Sequence, residues 1–412
     1  MIKFERFELE NGLKVIVHQD KSTPIAAINI LYNVGSRDEN PEKTGFAHLF
    51  EHLMFGGSVN IPNYDEPLQR VGGENNAFTS NDITNYYLTL PKFNLETGFW
   101  LESDRMLSLA FTEKSLEVQR SVVIEEFKQR YLNQPYGDVW LMLRPLAYKN
   151  HPYQWPTIGK EISHIENAKM EDVKDFFKKY YAPNNAILVV AGDVEVADIK
   201  RLSEKWFGPI PKAEKVKKEF QKEPIQSEPR RLTVEKDVPL DAIYKTYHIC
   251  GRSEKEYYVA DLISDILSRG DSSRLYRELV KNKKMFSEIS AYLTGDIDPG
   301  LLVISGKLIK GISVELAESA ILQELEKIKT ELVSENELNK VKNKIESSNA
   351  FSEMSVPNIA MNLAIFENIG DANLINTEID LYLNISDQEI KTQANLIFNE
   401  NNCSTLFYLS KN

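Results

Sequence analysis

The chain has 412 residues, 42% of them hydrophobic, which is enough for two or three domains with buried cores. Its formal net charge is −12 and it has no basic block, which argues against nucleic acid as its main partner. Two cysteines, Cys250 and Cys403, are too few for a disulfide framework or a cysteine-rich zinc site.

The sequence predicts neither a membrane span nor a signal peptide. It has no run of about 18 apolar residues, which a membrane-spanning helix would need. The first 17 residues, MIKFERFELENGLKVIV, begin directly with strand-like alternation and lack a basic region followed by an apolar one. The predicted compartment is therefore the cytoplasm, or the periplasm if a leader has been removed.

Alternating strands and amphipathic helices are predicted along the first half of the chain. Asn11 and Gly12 separate two alternating runs and predict a two-residue hairpin turn. The apolar patterns that follow predict two strand segments at 25–36 and 186–194, a hairpin at 76–91, and helices at 92–109, 112–132, 134–147 and 195–206.

The second half repeats the order of the first. Residues 208–229 contain four prolines and many charges, which predicts a linker. Beyond it we predict strands in 230–249, a helix at 254–268, a hairpin at 287–308, helices at 313–330 and 335–354, and a strand at 403–410. The chain is therefore interpreted as two copies of one α+β unit, with domains at 1–212 and 230–412 and a linker at 213–229.

One helix of the first copy has the pattern of a metal site. In TGFAHLFEHLMFGGS (44–58), Thr44 is the predicted N-cap, and Gly56 and Gly57 are predicted to end the helix. One face is apolar and is predicted to be buried, and it comprises Phe46, Leu49, Phe50 and Leu53. In the second copy, the equivalent segment DLISDILSRG carries Asp261, Ser264 and Asp265 instead of the metal-site residues.

His48 and His52 lie one helical turn apart, so both imidazoles can bind the same Zn²⁺. Catalytic zinc sites have three protein ligands and an open position, where the metal lowers the pKa of water. Glu51 is placed beside His52, where a carboxylate that does not bind the metal can act as general base and then acid. A chance pair of histidines is disfavoured because the chain has only six.

The third ligand must come from another element. The predicted helix at 112–132 has an apolar stripe and carries Glu125 and Glu126 in its middle. The stripe comprises Leu116, Val123, Phe127 and Tyr131. The spacing alone does not decide which glutamate faces the metal.

The order H-x-x-E-H is the inverzincin signature. With the rest of the sequence, it resembles the M16 family of zinc metallopeptidases (pitrilysin and mitochondrial processing peptidase) over essentially the whole chain. Five segments resemble family landmarks in the expected order: TGFAHLFEHLMFGGS, GGENNAFTSNDITNYY, QRSVVIEEF, NHPY and YYAPNNAILVVAGDV. The resemblance implies an α+β fold with two homologous α/β-sandwich domains, each a mostly antiparallel sheet flanked by helices.

The resemblance also implies roles for residues outside the histidine helix. The third ligand is expected to be Glu126, which lies 74 residues after His52. Asn76, Ala77 and Phe78 are expected to form an edge strand on which a peptide substrate pairs. Many members carry a glutamate seven residues before the ligand glutamate. Here that position is Gln119, which can hydrogen-bond but has no charge.

The second half departs from the family pattern. In active members it contributes an Arg and a Tyr, seven residues apart, which hold the substrate and stabilise the oxyanion. Here Val280 and Ser287 take those positions, and a shift of one residue gives Lys281 and Glu288. Arg269 and Tyr276 are also seven residues apart, but this pair does not follow the S-S-R-L segment as the family pattern requires. Loss of an oxyanion group lowers rates by about 10²–10³.

The sequence therefore predicts a zinc-dependent endopeptidase subunit that acts on short or unfolded peptides. Family members enclose substrate between four such domains, which implies a dimer. The missing Arg/Tyr pair favours a heterodimer whose homologous partner supplies these residues. A homodimer stays possible if one of the lysines at 281–284 supplies the charge.

Two other functions stay open. A non-catalytic assembly subunit would be expected to have a degenerate zinc motif, whereas this motif is intact. A peptide-binding module with structural zinc would need a fourth protein ligand, for which the sequence offers no candidate.

Overall fold

The computed structural model describes residues 1–411 and contains both helices and strands. The strands are β1 (Glu5–Glu8), β2 (Lys14–Gln19), β3 (Ile25–Tyr32), β4 (Glu74–Thr79), β5 (Thr84–Pro91), β6 (Ala186–Gly192), β7 (Arg230–Lys236), β8 (Ala242–His248), β9 (Phe286–Leu293), β10 (Leu301–Leu308) and β11 (Cys403–Ser410). The helices are α1 (Phe46–Leu53), α2 (Asp65–Arg70), α3 (Leu95–Leu107), α4 (Glu113–Phe127), α5 (Val139–Ala147), α6 (Ile162–Glu166), α7 (Met170–Tyr180), α8 (Val196–Trp206), α9 (Lys255–Ser268), α10 (Val314–Thr330), α11 (Glu335–Ser352), α12 (Val356–Ile369), α13 (Leu374–Leu383) and α14 (Asp387–Ile397). None of the helices within residues 1–411 has the length and hydropathy that a membrane crossing requires.

The first compact unit is built on a six-stranded sheet in the order β1-β2-β6-β3-β5-β4. It comprises Met1–Gln129, Trp155–Phe220 and Ala350–Thr377. Strands β2 and β6 are parallel, and all other neighbours are antiparallel. Helix α12 packs on alternate residues of β6 (Ile187, Val189 and Ala191). Helix α3 packs on the other face, where a Cβ on Gly98 would lie 2.6 Å from Ile28 Cδ1.

The second compact unit comprises Arg130–Gln154, Gln221–Asn349 and the chain from Glu378 onward. Its five-stranded sheet has the order β7-β11-β8-β10-β9, with β7 and β11 parallel and the other neighbours antiparallel. This pairing repeats the order β2-β6-β3-β5-β4 of the first unit, as expected for a duplicated chain. The predicted α+β class with two sheet-and-helix units is confirmed.

The compact units are interleaved in sequence, whereas the predicted domains (1–212 and 230–412) are contiguous. The difference arises because α12 buries an apolar face on the first sheet, while α5 packs against strands of the second. The compact units do not test whether 1–212 and 230–412 are homologous halves, so those boundaries stay a prediction. Residues 211–229 form neither helix nor strand, but Lys218 Nζ donates to Asp38 Oδ2 at 2.9 Å within the first unit.

Most predicted elements coincide with observed ones, but one turn and several helices differ. The turn at Asn11 and Gly12 is wrong as a two-residue hairpin, because residues 9–13 connect β1 to β2. The Asn11 side chain holds this longer loop by donating to the carbonyls of Phe207 and Ile210, at 2.8 and 2.9 Å. The sequence analysis also did not predict six helices: α2, α6, α7, α12, α13 and α14.

Candidate metal centre

Helix α1 is fixed by its apolar face. The four residues predicted to be buried on it are all at most 6% exposed, which confirms that prediction. The chain enters the helix through Gly45, whose φ of 88° lies in the left-handed region. A Cβ at this position would also lie 2.7 Å from the carbonyl oxygen of Ile158. Glycine is therefore needed for the close approach that orients α1.

The N-terminus of α1 is capped by Glu39, not by Thr44 as predicted. The Glu39 carboxylate accepts hydrogen bonds from the amides of Gly45 at 2.9 Å and Ala47 at 2.8 Å. It also accepts one from Trp155 Nε1 at 3.1 Å. Burial raises the pKa of Glu39 to about 8. These bonds satisfy backbone amides that the first turn of a helix leaves without partners.

The predicted cap has a different structural role, and the helix ends earlier than expected. The Thr44 hydroxyl lies 2.8 Å from His164 Nδ1 and accepts a hydrogen bond from the Lys160 amide at 2.8 Å. Thr44 therefore connects two chain segments instead of capping α1. Helix α1 ends at Leu53, three residues before Gly56.

Three predicted ligands converge beside α1. Glu126 Oε2 lies 3.5 Å from His48 Nε2 and 3.4 Å from His52 Nε2. The two imidazole rings have centroids 4.9 Å apart and are mutually perpendicular. The side chains of His48, His52 and Glu126 are 12%, 24% and 18% exposed, so the group is mostly buried but open to solvent.

The geometry of this group fits zinc. Two ligand atoms that each lie about 2.0–2.1 Å from a tetrahedral Zn²⁺ are about 3.4 Å apart. The two nitrogen–oxygen distances, 3.5 and 3.4 Å, match that separation. Within residues 1–411, this is the one group of three or more His, Cys, Asp or Glu side chains whose ligand atoms lie this close, and it has no fourth member. Three ligands and an open position are typical of catalytic zinc.

Helix α4 presents one of its two adjacent glutamates to the group. Glu126 faces the histidines, whereas the Glu125 side chain is 60% exposed and pairs with Lys128 at 2.8 Å. Gln119 lies on the same helix, nearly two turns earlier, and is partly buried. A π-helical turn, Lys128–Leu132, directly follows the helix. Such turns often occur near functional sites.

The predicted base and the predicted substrate strand lie beside the same helix. Glu51 Oε2 accepts a hydrogen bond from Thr79 Oγ1 at 2.6 Å, at the end of β4. Within residues 1–411, strand β4 pairs with β5 alone and forms one edge of the sheet, which confirms the expected edge position. Asn76 is exposed, and its side-chain oxygen accepts a hydrogen bond from the Ala77 amide at 2.8 Å. Phe78 is partly buried and packs against the apolar cluster between the first sheet and α12.

The residues at the expected Arg and Tyr positions belong to the second unit. Val280 packs against its hydrophobic core, and the Ser287 hydroxyl donates to the carbonyl oxygen of Lys307 at 3.1 Å. In the alternative alignment, Lys281 is half-exposed, and Glu288 pairs with Lys307 at 3.0 Å. Neither alignment supplies an Arg/Tyr pair.

Sequence reasoning missed two residues that support the site, Glu39 and Thr79. Nothing in the sequence indicated the role of Glu39. It lies six residues before Gly45, and its contact with the Gly45 amide depends on the path of the loop between them. Thr79 had a weak signal, because it directly follows the segment expected to bind peptide and lies at the end of an edge strand.

The chain matches the two domain descriptions of one peptidase family in succession. Residues 14–161 match "Insulinase (Peptidase family M16)" and residues 167–345 match "Peptidase M16 inactive domain". These matches cover the segment of the metal centre and much of the second half.

Similar proteins include a zinc protease, a processing-peptidase subunit and a protease of known crystal structure. The chain is 33% identical to the zinc protease PqqE of Helicobacter pylori over 346 residues, covering 82% of this chain and 78% of that protein. It is 26% identical to the mitochondrial-processing peptidase subunit beta of Saccharomyces cerevisiae, covering 83% of this chain and 77% of that protein. The crystal structure of a protease from Helicobacter pylori superposes with a TM-score of 0.94 at 31% identity, covering 99% of this chain and 100% of that chain. The chain therefore belongs to peptidase family M16, as the resemblance of its motifs predicted.

Proposed function

We propose that this chain is the zinc-bearing subunit of an endopeptidase that hydrolyses short or unfolded peptides. The observation that carries the proposal is the convergence of His48, His52 and Glu126, with Glu51 on the same helix. Bound zinc would supply a Lewis acid for the peptide carbonyl and lower the pKa of water. The zinc-protease names of relatives such as PqqE support this choice of metal.

Residues of this chain would carry out the proton transfer and bind the substrate. Glu51 takes a proton from the attacking water and transfers it to the nitrogen of the leaving amine. The edge of β4 at Asn76, Ala77 and Phe78 pairs with an extended peptide through backbone hydrogen bonds. Gln119 supports the ligand helix as a neutral hydrogen-bonding group. A substrate that must pair as a strand has to be unfolded, which favours short or unstructured peptides.

We infer that the active form is a heterodimer. The chain carries ligands and base, but Val280 and Ser287 cannot replace the expected Arg and Tyr. A homologous subunit with this pair would complete the oxyanion site, and four domains would enclose the substrate. The yeast relative is, by its name, also a subunit. The alternative is a homodimer in which a lysine between 281 and 284 supplies the positive charge.

Hydrolysis of an internally quenched, unstructured peptide mixture by the purified, zinc-loaded chain tests the proposal. Glu51→Gln serves as the control because it removes the base and keeps both histidines. The zinc content of both proteins is measured alongside activity. Zinc bound in a one-to-one ratio to both, with cleavage only by the wild type, supports a self-sufficient peptidase and contradicts the heterodimer.

The other outcomes separate the remaining readings. One zinc per chain without cleavage, and cleavage restored by a homologous subunit that carries Arg and Tyr, supports the heterodimer. If the chain cleaves alone, replacing Lys281, Lys283 and Lys284 by Gln identifies whether these lysines supply the charge. A chain that binds no zinc would refute the proposed metalloenzyme and favour an assembly subunit.

A further inference from the structure

The end of strand β4 contacts the candidate base directly. Thr79 is the last residue of β4, and its hydroxyl donates to Glu51 Oε2 across 2.6 Å. A hydroxyl donor to a carboxylate at 2.5–2.7 Å is a charge-assisted hydrogen bond, which is roughly twice as strong as a neutral one. This contact restricts rotation of the Glu51 carboxylate about its terminal bond.

The hairpin tip that carries Thr79 is itself well held. Thr79 pairs with Thr84 across the hairpin. The Ser80 amide donates to the Ile83 carbonyl at 2.8 Å, and the Ser80 hydroxyl accepts from the amides of Asp82 and Ile83, both at 3.1 Å. The backbone that carries Thr79 is therefore held in place, and its hydroxyl is directed by the hydrogen bond to Glu51.

A neighbouring loop fixes the same tip to the body of the first unit. Arg37 donates from its amide to the Asn81 carbonyl at 2.9 Å, and its guanidinium pairs with Asp82 at 2.7 Å. Both side chains of this ion pair are at most 7% exposed. Gly35 approaches so closely that a Cβ there would lie 2.4 Å from the Asn81 backbone. The tip cannot move away from Glu51 without breaking this buried pair.

We propose that Thr79 is a positioning residue that orients Glu51 for proton transfer. The inference rests on the proposed function. Because Thr79 ends the strand on which the peptide pairs, one element sets both the register of the scissile bond and the direction of the base. The hydroxyl keeps its proton throughout: Glu51 takes a proton from water and returns it to the amine nitrogen, while the bond from Thr79 persists.

The kinetic test compares Thr79→Val, Thr79→Ser and Thr89→Val in the active form of the enzyme, either the chain alone or the chain with its partner. Valine keeps the shape of threonine and removes the hydroxyl, whereas serine keeps the hydroxyl. Thr89 lies on the adjacent strand β5 and provides the same chemical change away from Glu51. Outer hydrogen-bond partners of metal sites typically contribute about 10- to 100-fold. We expect Thr79→Val to lower kcat by at least about tenfold with KM changed less than about twofold.

Thr79→Ser should retain kcat within about threefold, and Thr89→Val should match the wild type. Zinc content should be equal in all variants, because none of them alters a ligand. A loss in Thr79→Val that appears mainly in KM, or that Thr79→Ser shares, would overturn the inference, since it would indicate disturbed peptide pairing. Equal kcat in Thr79→Val and wild type would overturn it as well.

A crystal structure of Thr79→Val provides a readout that does not depend on activity. The inference requires the Glu51 carboxylate to be rotated or disordered in the variant while β4 keeps its pairing with β5. An unchanged Glu51 side chain would refute the inference even if no peptide is cleaved. Failure of the proposed function would instead appear as a wild type that cleaves nothing with or without a partner.

Discussion

Replacing Glu39 should destabilise the first unit and weaken zinc binding at the same time. In Glu39→Ala, the buried amides of Gly45 and Ala47 lose their acceptor. A buried donor left without a partner costs about 1–3 kcal/mol, so the two together predict a loss of about 2–6 kcal/mol. This loss is expected near pH 4.5, because at higher pH the raised pKa of Glu39 itself costs stability, and Glu39→Ala would relieve that cost. Trp155 adds little to this loss because its Nε1 also donates to the Ser36 carbonyl at 2.9 Å.

Chemical denaturation of the metal-free protein measures the loss in the free energy of unfolding. Glu39→Gln keeps one acceptor oxygen and should lose about half as much as Glu39→Ala. Glu42→Ala is the matched control, because Glu42 is exposed on the same loop and should change stability by less than about 0.5 kcal/mol. Zinc affinity should fall in Glu39→Ala, since His48 lies in the first turn of the helix that frays. A loss below about 1 kcal/mol would show that water replaces the carboxylate and would refute the capping argument.

Two further predictions concern the ligand glutamate and the second unit. Glu126→Gln should weaken zinc binding by at least about 100-fold in a chelator competition assay, whereas Glu125→Gln should stay within about twofold; equal effects would contradict the assignment of the third ligand. Burial raises the pKa of Asp265 from 3.8 to about 6. Between these two pH values, Asp265 is mostly protonated in the folded state and mostly ionised in the unfolded state. The wild type should therefore lose about 2 kcal/mol of stability relative to Asp265→Asn between pH 4 and pH 7 in urea denaturation, and a constant difference would refute this.

The features that could be predicted from sequence are those set by local periodicity. The buried face of α1 follows from spacings of three and four residues, which fix the direction of side chains on any helix. The choice between Glu125 and Glu126, in contrast, could not be made from spacing alone and depends on how α4 packs. Glu126 lies three residues after buried Val123, on the same side of α4, whereas Glu125 lies two residues after it and points to solvent.

The features that could not be predicted depend on contacts between distant segments. Helix α12 packs on the first sheet and is apolar around most of its circumference. Its sequence therefore lacks the separate polar and apolar faces that mark an amphipathic helix. The predicted cap of α1 was wrong for a similar reason. A threonine directly before a helix usually caps it, but here Gly45 intervenes with a left-handed backbone and directs the helix amides to Glu39.

In the second unit, the corresponding helix carries different side chains with different partners. Helix α9 carries Asp261 and Asp265 where α1 carries the two histidines. Asp261 Oδ2 accepts a hydrogen bond from the Tyr382 hydroxyl at 2.7 Å, and Asp265 pairs with Arg269 at 3.2 Å. Each carboxyl group therefore has a protein partner, although burial still raises the pKa of both. In α1 the corresponding side chains, two imidazoles, converge on the carboxylate of Glu126. This donor set is one that divalent zinc binds. The repeated sheet order thus carries two different side-chain arrangements on the corresponding helix, a candidate metal centre in the first unit and hydrogen-bonded carboxyl groups in the second.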